Sequence, residues 1–319
     1  MSKLKSFFKA IVPLSIGLFF IYLTISFTNK EERELIFSYI KNADYRFLLL
    51  SVFFGILSHI SRAYRWKFLL APLGYKPRFI NSILSVLIAY IANLGIPRSG
   101  EILRATILSS YEKIPFEKTF GTIIAERLVD LLILIGFILI ALSLQFELIW
   151  GILKEKRISF NDLMPVLVSL AILFFVVRLL FKQERYPFIT KIKTFCKGVL
   201  EGVLSLKTMP HKGIFIAHTL FIWTMYLAMF YVVKWTVYET SILGLNDLLP
   251  AFVIGGLAIS ATNGGIGIYP FSVAMMLAAF GVSNESGLAF GWIVWTSQTL
   301  MIIVFGSLSF FVLPLFNRD

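Results

Sequence analysis

Six stretches of this chain, at 11–27, 47–70, 120–144, 163–181, 214–237 and 288–313, are mostly apolar over the length that crosses a bilayer. A spanning helix needs about 20 such residues. Backbone inside hydrocarbon must satisfy its own hydrogen bonds, so each stretch is expected to be a helix. Composition agrees, with 58% of the 319 residues hydrophobic and 15% charged, where soluble domains carry about 25% charged residues. These values exclude an ordinary soluble enzyme, a disordered chain and a secreted disulfide scaffold. The single cysteine, Cys196, permits neither an intrachain disulfide nor a cysteine-built metal site. His59, His211 and His218 lack metal-ligand spacing, and no cofactor is expected. Lys3, Lys5 and Lys9 precede the first stretch as in a signal peptide, but no small-residue cleavage site follows, so it reads as a retained helix.

Two further apolar regions are interrupted. Residues 79–94 run into Gly-Ile-Pro-Arg-Ser-Gly-Glu and then 102–111, while residues 248–261 run into Thr-Asn-Gly-Gly-Ile-Gly and then 268–280. Most of these arms are too short for a ~30 Å hydrocarbon core, and Gly, Pro and Asn are strong breakers. Each pair of arms is expected to form a re-entrant hairpin, with its irregular backbone buried or facing a wet cavity. The expected fold is an all-α polytopic membrane protein with about six full spans plus two re-entrant broken-helix hairpins, eight hydrophobic regions in all.

The net charge of +12 falls between apolar runs, which favours an anionic inner leaflet over nucleic acid as partner. With a cytoplasmic N-terminus and hairpins that return to their own side, the cytoplasmic segments hold 21 basic against 6 acidic residues and the outer segments 8 against 10. That asymmetry fits the positive-inside rule and puts both termini in the cytoplasm of a cell with its protein in the inner membrane. One transmembrane domain is expected over 1–319. It comprises an N-terminal helix and external loop (1–46), a first repeat (47–144), a connecting helix and basic cytoplasmic loop (145–212), and a second repeat (213–319). Each repeat is a span, a broken hairpin and a span, in opposite orientations. Inverted repeats with discontinuous helices are a transporter signature. Within the basic loop, apolar residues of 188–206 recur at helical spacing beside Lys191, Lys193 and Lys197, as in a helix lying on the inner leaflet.

Charges inside spans are costly and usually face a cavity or one another. Glu126 and Asp130 share a helix face, and Arg127 is spaced to pair with Asp130. Arg62 needs a partner such as Glu126, whereas Arg65 is expected to snorkel to the interface along its stem. Trp66 reads as an interface anchor and His59 as an interior residue. At the first break, Pro97, Arg98, Ser99 and Gly100 open a short helix with Ser99 as its natural N-cap. Its free N–H groups and Arg98 would favour an anion. Glu101 is placed to cap that helix or to hold Arg104. At the second break, Asn263, Gly264, Gly265 and Gly267 let backbone approach a ligand or let the hairpins pack closely.

The motifs Arg62-Ala-Tyr-Arg65-Trp66, Pro97-Arg98-Ser-Gly100-Glu101-Ile-Leu-Arg104, Glu126-Arg127-Leu-Val-Asp130 and Gly264-Gly265-Ile-Gly267 make the chain resemble the lysylphosphatidylglycerol synthetase transmembrane-region family, the flippase-like domain proteins. The resemblance covers nearly the whole chain. It implies a bacterial or archaeal inner-membrane helical bundle that moves lipids between leaflets, without the soluble synthetase domain of two-domain members. Asn263 and Pro270 depart from the pattern, which expects Pro or another small residue before the glycines and often has an acidic residue after them. The resulting expectation is a lipid translocase for an anionic phospholipid or a polyprenyl-phosphate-linked lipid. Its substrate-binding set is Arg62, Arg65, Arg98, Ser99, Gly100, Glu101, Arg104, Glu126, Arg127, Asp130, Asn263, Gly264, Gly265 and Gly267. A secondary transporter of a small organic anion is the alternative. A membrane-embedded lipid- or glycosyl-modifying enzyme has the least support, because no nucleophile, metal cluster or nucleotide site is readable.

Overall fold

Asp44 starts the first long helix by accepting the Arg46 N–H at 3.0 Å, and Ser283 starts the last by accepting the Ser286 N–H at 3.3 Å. Such caps satisfy donors that a helix start leaves free. The computed structural model describes residues 30–96, 98–146, 204–262 and 264–317, with Tyr22, Ser26 and Glu201. The principal helices are α1 (Lys30–Lys41), α2 (Tyr45–Leu70), α3 (Phe79–Gly95), α4 (Ser99–Glu112), α5 (Phe116–Leu144), α6 (Lys212–Val232), α7 (Leu245–Ala261), α8 (Ile268–Ala278) and α9 (Asn284–Leu315). The expected spans at 11–27 and 163–181 and the amphipathic helix at 188–206 lie, but for a few positions, outside the described residues.

Among the described residues, Tyr45–Leu73, Phe116–Leu144, Lys212–Thr236 and Asn284–Leu315 are long and apolar enough to cross a membrane. They correspond to the four expected spans in this part of the chain. Phe79–Gly95, Leu245–Ala261 and Ile268–Ala278 are apolar but shorter. The protein is therefore membrane-embedded, and α5 leaves Leu131, Leu132, Ile135 and Leu139 exposed, a surface suited to hydrocarbon rather than water.

α1 occupies part of the segment expected to be an external loop. Its Ile36, Tyr39 and Ile40 share one face at helical spacing, and Ile36 is buried in a core with Phe230, Leu248, Val273 and Leu288. A second core gathers Trp66, Leu69, Leu108, Ile123 and Phe215. α2 thus runs from beside the first core into the second, and α6, packed along it, runs back. α3 packs on α4 and α9, and α7 packs on α8 and α5.

α3 and α4 form a hairpin whose open ends are tied together. Glu112, at the end of α4, accepts from the Arg78 N–H at 3.1 Å and from Asn81 Nδ2 at 2.5 Å, at the start of α3. Asn317, beyond α9, joins this knot through Asn81. Glycine sets how closely the arms approach. A Cβ at Gly100 would lie 2.0 Å from the Ala89 carbonyl oxygen, and one at Gly291 2.6 Å from Pro270 Cα. Small residues let membrane helices approach in this way.

Gly100→Ala is therefore expected to destabilise the protein by about 1–3 kcal/mol, as overpacking does. Gly256→Ala, with nothing within 4 Å of the new Cβ, should leave the melting temperature in detergent unchanged or slightly raised. Equal melting of Gly100→Ala and wild type would contradict the close seat of α4 on α3.

Candidate functional site

Five charged side chains meet where α2, α4, α5 and α6 converge. Arg62 and Arg65 come from α2, Arg104 from α4, and Glu126 and Asp130 from α5, and all five are buried. Their spacing explains the meeting. Arg62 and Arg65 are three apart on one helix and Glu126 and Asp130 four apart on another, so each pair lies on one face. Arg62 Nη1 donates to both Glu126 Oε1 and Asp130 Oδ2, the latter at 2.8 Å. Arg65 Nη1 donates to Asp130 Oδ1 at 2.9 Å and to Thr219 Oγ1 of α6 at 2.8 Å, and its Nη2 lies 3.3 Å from Glu126 Oε1. Arg104 forks onto Glu126, with Nη1 to Oε1 at 3.2 Å and Nη2 to Oε2 at 3.1 Å. Planar guanidinium suits such two-point recognition of a carboxylate.

Aromatic residues extend the cluster. Arg104 Cζ lies 3.8 Å from the centre of the Trp66 ring, and Trp66 Nε1 donates to Thr122 Oγ1 at 2.9 Å. Arg62 Nη2 donates to Tyr226 Oη at 3.3 Å, and the Tyr226 and Tyr90 hydroxyls are 3.1 Å apart. His59 is buried with its ring 4.3 Å from that of Tyr90.

Several expected pairings turn out differently. Arg65 does not snorkel, because two carboxylates and Thr219 hold its guanidinium inside. Trp66 is fully buried under Arg104, not anchored at an interface. Arg127 turns away from Asp130 and donates through Nη2 to Glu101 Oε1 at 2.8 Å, while Arg104 bonds Glu126 in place of Glu101. Arg62 does meet Glu126. Ser99 is the first residue of α4 rather than its cap. The cap position is Arg98, in a left-handed conformation at φ 60°, and the Ser99 hydroxyl donates back to the Ala92 and Ile96 carbonyls at 3.0 and 2.8 Å. Asn93 Oδ1 already accepts the Gly100 N–H at 2.8 Å. Arg98 is exposed and makes no hydrogen bond or ion pair with the described residues.

At the second break, Gly264, Gly265 and Gly267 have φ of 63°, 79° and 70°, conformations that glycine adopts without strain. A Cβ at Gly264 would lie 2.6 Å from Leu94 Cδ2 at the end of α3. The two breaks therefore touch, and Trp295 Nε1 fixes the Gly264 carbonyl at 2.7 Å. Pro97 and Asn263 lie outside the described residues.

A small cleft opens beside the charge cluster, lined among others by Arg62, Tyr90, Asn93, Glu101, Arg104 and Arg127. Among the described residues, the buried atoms Arg62 Nε, Arg104 Nε and Glu101 Oε2 have no hydrogen-bond partner. Counting Arg127 with Glu101, four arginines face three carboxylates here. Tyr90, Asn93, Thr219 and Tyr226 were not candidates in the sequence, since single polar residues in apolar runs carry little signal. Asn93, a half-turn before the break, offered the best one.

Removing one partner of a buried ion pair costs about 3–5 kcal/mol, because a charge is left uncompensated. Glu126→Met, facing three arginines, should lower the melting temperature strongly. Glu126→Met with Arg104→Met should lose less than the two singles added together, by about 0.5–3 kcal/mol. Strict additivity in that double-mutant cycle would count against direct coupling.

Comparison with known proteins agrees with a membrane-embedded chain. Residues 10–306 match the family described as the lysylphosphatidylglycerol synthase TM region. A curated relative, the UPF0104 membrane protein MJ1595 of Methanocaldococcus jannaschii, is 30% identical over 138 residues, or 42% of this chain and 40% of that one. The match thus spans less than half the length of that relative. No solved structure matches the chain. With all but its two ends matched, this chain belongs to the lysylphosphatidylglycerol synthase TM region family.

Proposed function

We propose that the protein is a lipid translocase of the inner membrane, moving a lipid with an anionic, phosphate-bearing headgroup between leaflets. The observation that carries this reading is the unbalanced charge at the cleft. Arginines exceed carboxylates by one, and Arg62 and Arg104 each keep a buried Nε–H without a partner among the described residues. An uncompensated buried charge costs several kcal/mol, and an anionic headgroup in the cleft offsets that cost. Family membership supports a lipid-related role, since the family description names a lipid synthase's membrane region.

The position of the charge cluster beside the cleft supports transport rather than passive binding. The cluster joins α2, α4 and α5 of the first half to α6 of the second, and the two breaks meet at Leu94 and Gly264. The first arm of each hairpin leans on the last long helix of the other half, as an inverted repeat would require. The Glu112 tie supports re-entry of α3 and α4 from one side, which the basic residues make the cytoplasmic side, with both termini there as well. Transporters place their substrate at such repeat interfaces. Arg98, exposed at the tip of the first hairpin, is a first contact for an arriving headgroup. The lipid is bound and released unchanged, with no bond made or broken.

The test is leaflet exchange of fluorescent anionic lipids in proteoliposomes. Wild type is expected to exchange lipids bearing a phosphate headgroup. Arg127→Glu, which removes the partner of Glu101 and places a carboxylate beside it, should lower the melting temperature and reduce the rate at least tenfold in the protein that remains folded. A well-folded Arg127→Glu that exchanges lipid at the wild-type rate would contradict the cleft as the binding site. Uptake of a soluble organic anion without lipid exchange would put the small-solute reading in its place.

A further inference from the structure

Resting on the translocase reading, we propose that Glu101 sets the headgroup charge the cleft accepts, admitting a singly charged phosphodiester and disfavouring a doubly charged phosphomonoester. Three observations lead there.

The first is how differently the carboxylates are satisfied. Glu126 accepts from Arg62 and Arg104 and lies within ion-pair reach of Arg65, and Asp130 accepts from Arg62 and Arg65. Glu101 holds one bond, from Arg127, and its Oε2 is buried without a partner among the described residues. Its charge is the least neutralised of the three and lies on the cleft wall with Arg62 and Arg104.

The second is that Glu101 cannot easily retreat. It sits in the first turn of α4, beside Gly100. That turn is pressed on α3 so closely that a Cβ at Gly100 would fall 2.0 Å from the Ala89 oxygen. The Gly100 N–H is bonded to Asn93, and Glu101 Oε1 is held by Arg127. A ligand must therefore share the cleft with this carboxylate.

The third is the match of donors and charge. With Glu101 ionised, the site lacks one negative charge, and Arg62 and Arg104 each offer one free Nε–H among the described residues. A phosphodiester carries one negative charge and two non-bridging oxygens. A phosphomonoester carries about −1.5 to −2 at pH 7, with a second pKa of about 6. Its extra charge faces Glu101 in surroundings of low dielectric, where like charges repel strongly. Glu101 is thus a specificity residue acting by repulsion, as discrimination often requires.

The experiment is calorimetric titration of the full chain in detergent with two short-chain lipids, dihexanoyl phosphatidylglycerol (a phosphodiester) and dihexanoyl phosphatidic acid (a phosphomonoester). At pH 8, wild type should prefer the phosphodiester by roughly tenfold in Kd, on the order of 1.4 kcal/mol. Glu101→Gln should bring the ratio near one by tightening the phosphomonoester. A measurement on wild type alone serves if that variant is unstable: the preference should shrink as the pH falls to about 6 and the phosphomonoester takes up its second proton. A preference unchanged in folded Glu101→Gln overturns the role of Glu101 while leaving the translocase reading standing, as does a wild type that favours the phosphomonoester. Failure of wild type to bind either lipid overturns both.

Discussion

Glu126 holds the arrangement together. It is a fully buried carboxylate on α5, bonded to arginines from α2 and α4, so these three helices cannot slide without breaking a charged contact in a low-dielectric interior. Asp130 adds α6 through the shared Arg65, which also bonds Thr219. Buried ion pairs are poor stabilisers compared with well-packed apolar side chains, because desolvation cancels much of their attraction. What the cluster contributes is register, in that each guanidinium has one position satisfying its partners. It also contributes a positive excess of one charge, which an apolar core would lack and which an anionic headgroup complements.

Around that hub, helix contact depends on missing side chains. Gly55 on α2 faces Gln298 and Met301 of α9, Gly306 on α9 faces Ile91 of α3, and Gly287 and Gly291 face Ala274 and Pro270 of α8. α9 therefore touches both hairpins through glycine, with backbones close enough to exclude a Cβ. Lipid offers no hydrophobic drive for helices to associate, so close packing and polar contacts must hold them. The Glu112 and Asn317 knot at the open end of the first hairpin and the Trp295 bond to Gly264 at its partner's break supply those polar contacts where the backbone is irregular.

The long helices were legible because their cause is local: an apolar run of bilayer length has few alternatives. The breaks were legible for the same reason, since Gly264, Gly265 and Gly267 require conformations that other residues avoid. α1 was missed although Ile36, Tyr39 and Ile40 recur at helical spacing, because its charged face made the segment read as a loop. That Arg62, Glu126 and Asp130 belong together could be inferred from the need of buried charges for partners. Which partner each would take could not. Arg127 is spaced for Asp130 yet bonds Glu101, and Arg65 is long enough to snorkel yet stays inside, because tertiary packing brings α4 and α6 against these faces. Helix spacing proposes neighbours along one helix and is silent about the next one.

The central claim is that a positive excess at the cleft lined by α2, α3, α4 and α5 holds a phosphate-bearing lipid. Native mass spectrometry of the protein purified in mild detergent addresses it directly, reading which lipids stay bound and in what ratio to the chain. One phosphate-bearing lipid per chain is expected on wild type, and its loss is expected in a folded variant carrying Arg104→Gln and Arg127→Gln together. Wild type that retains no phosphate-bearing lipid, or a variant that retains it equally well, would contradict the claim.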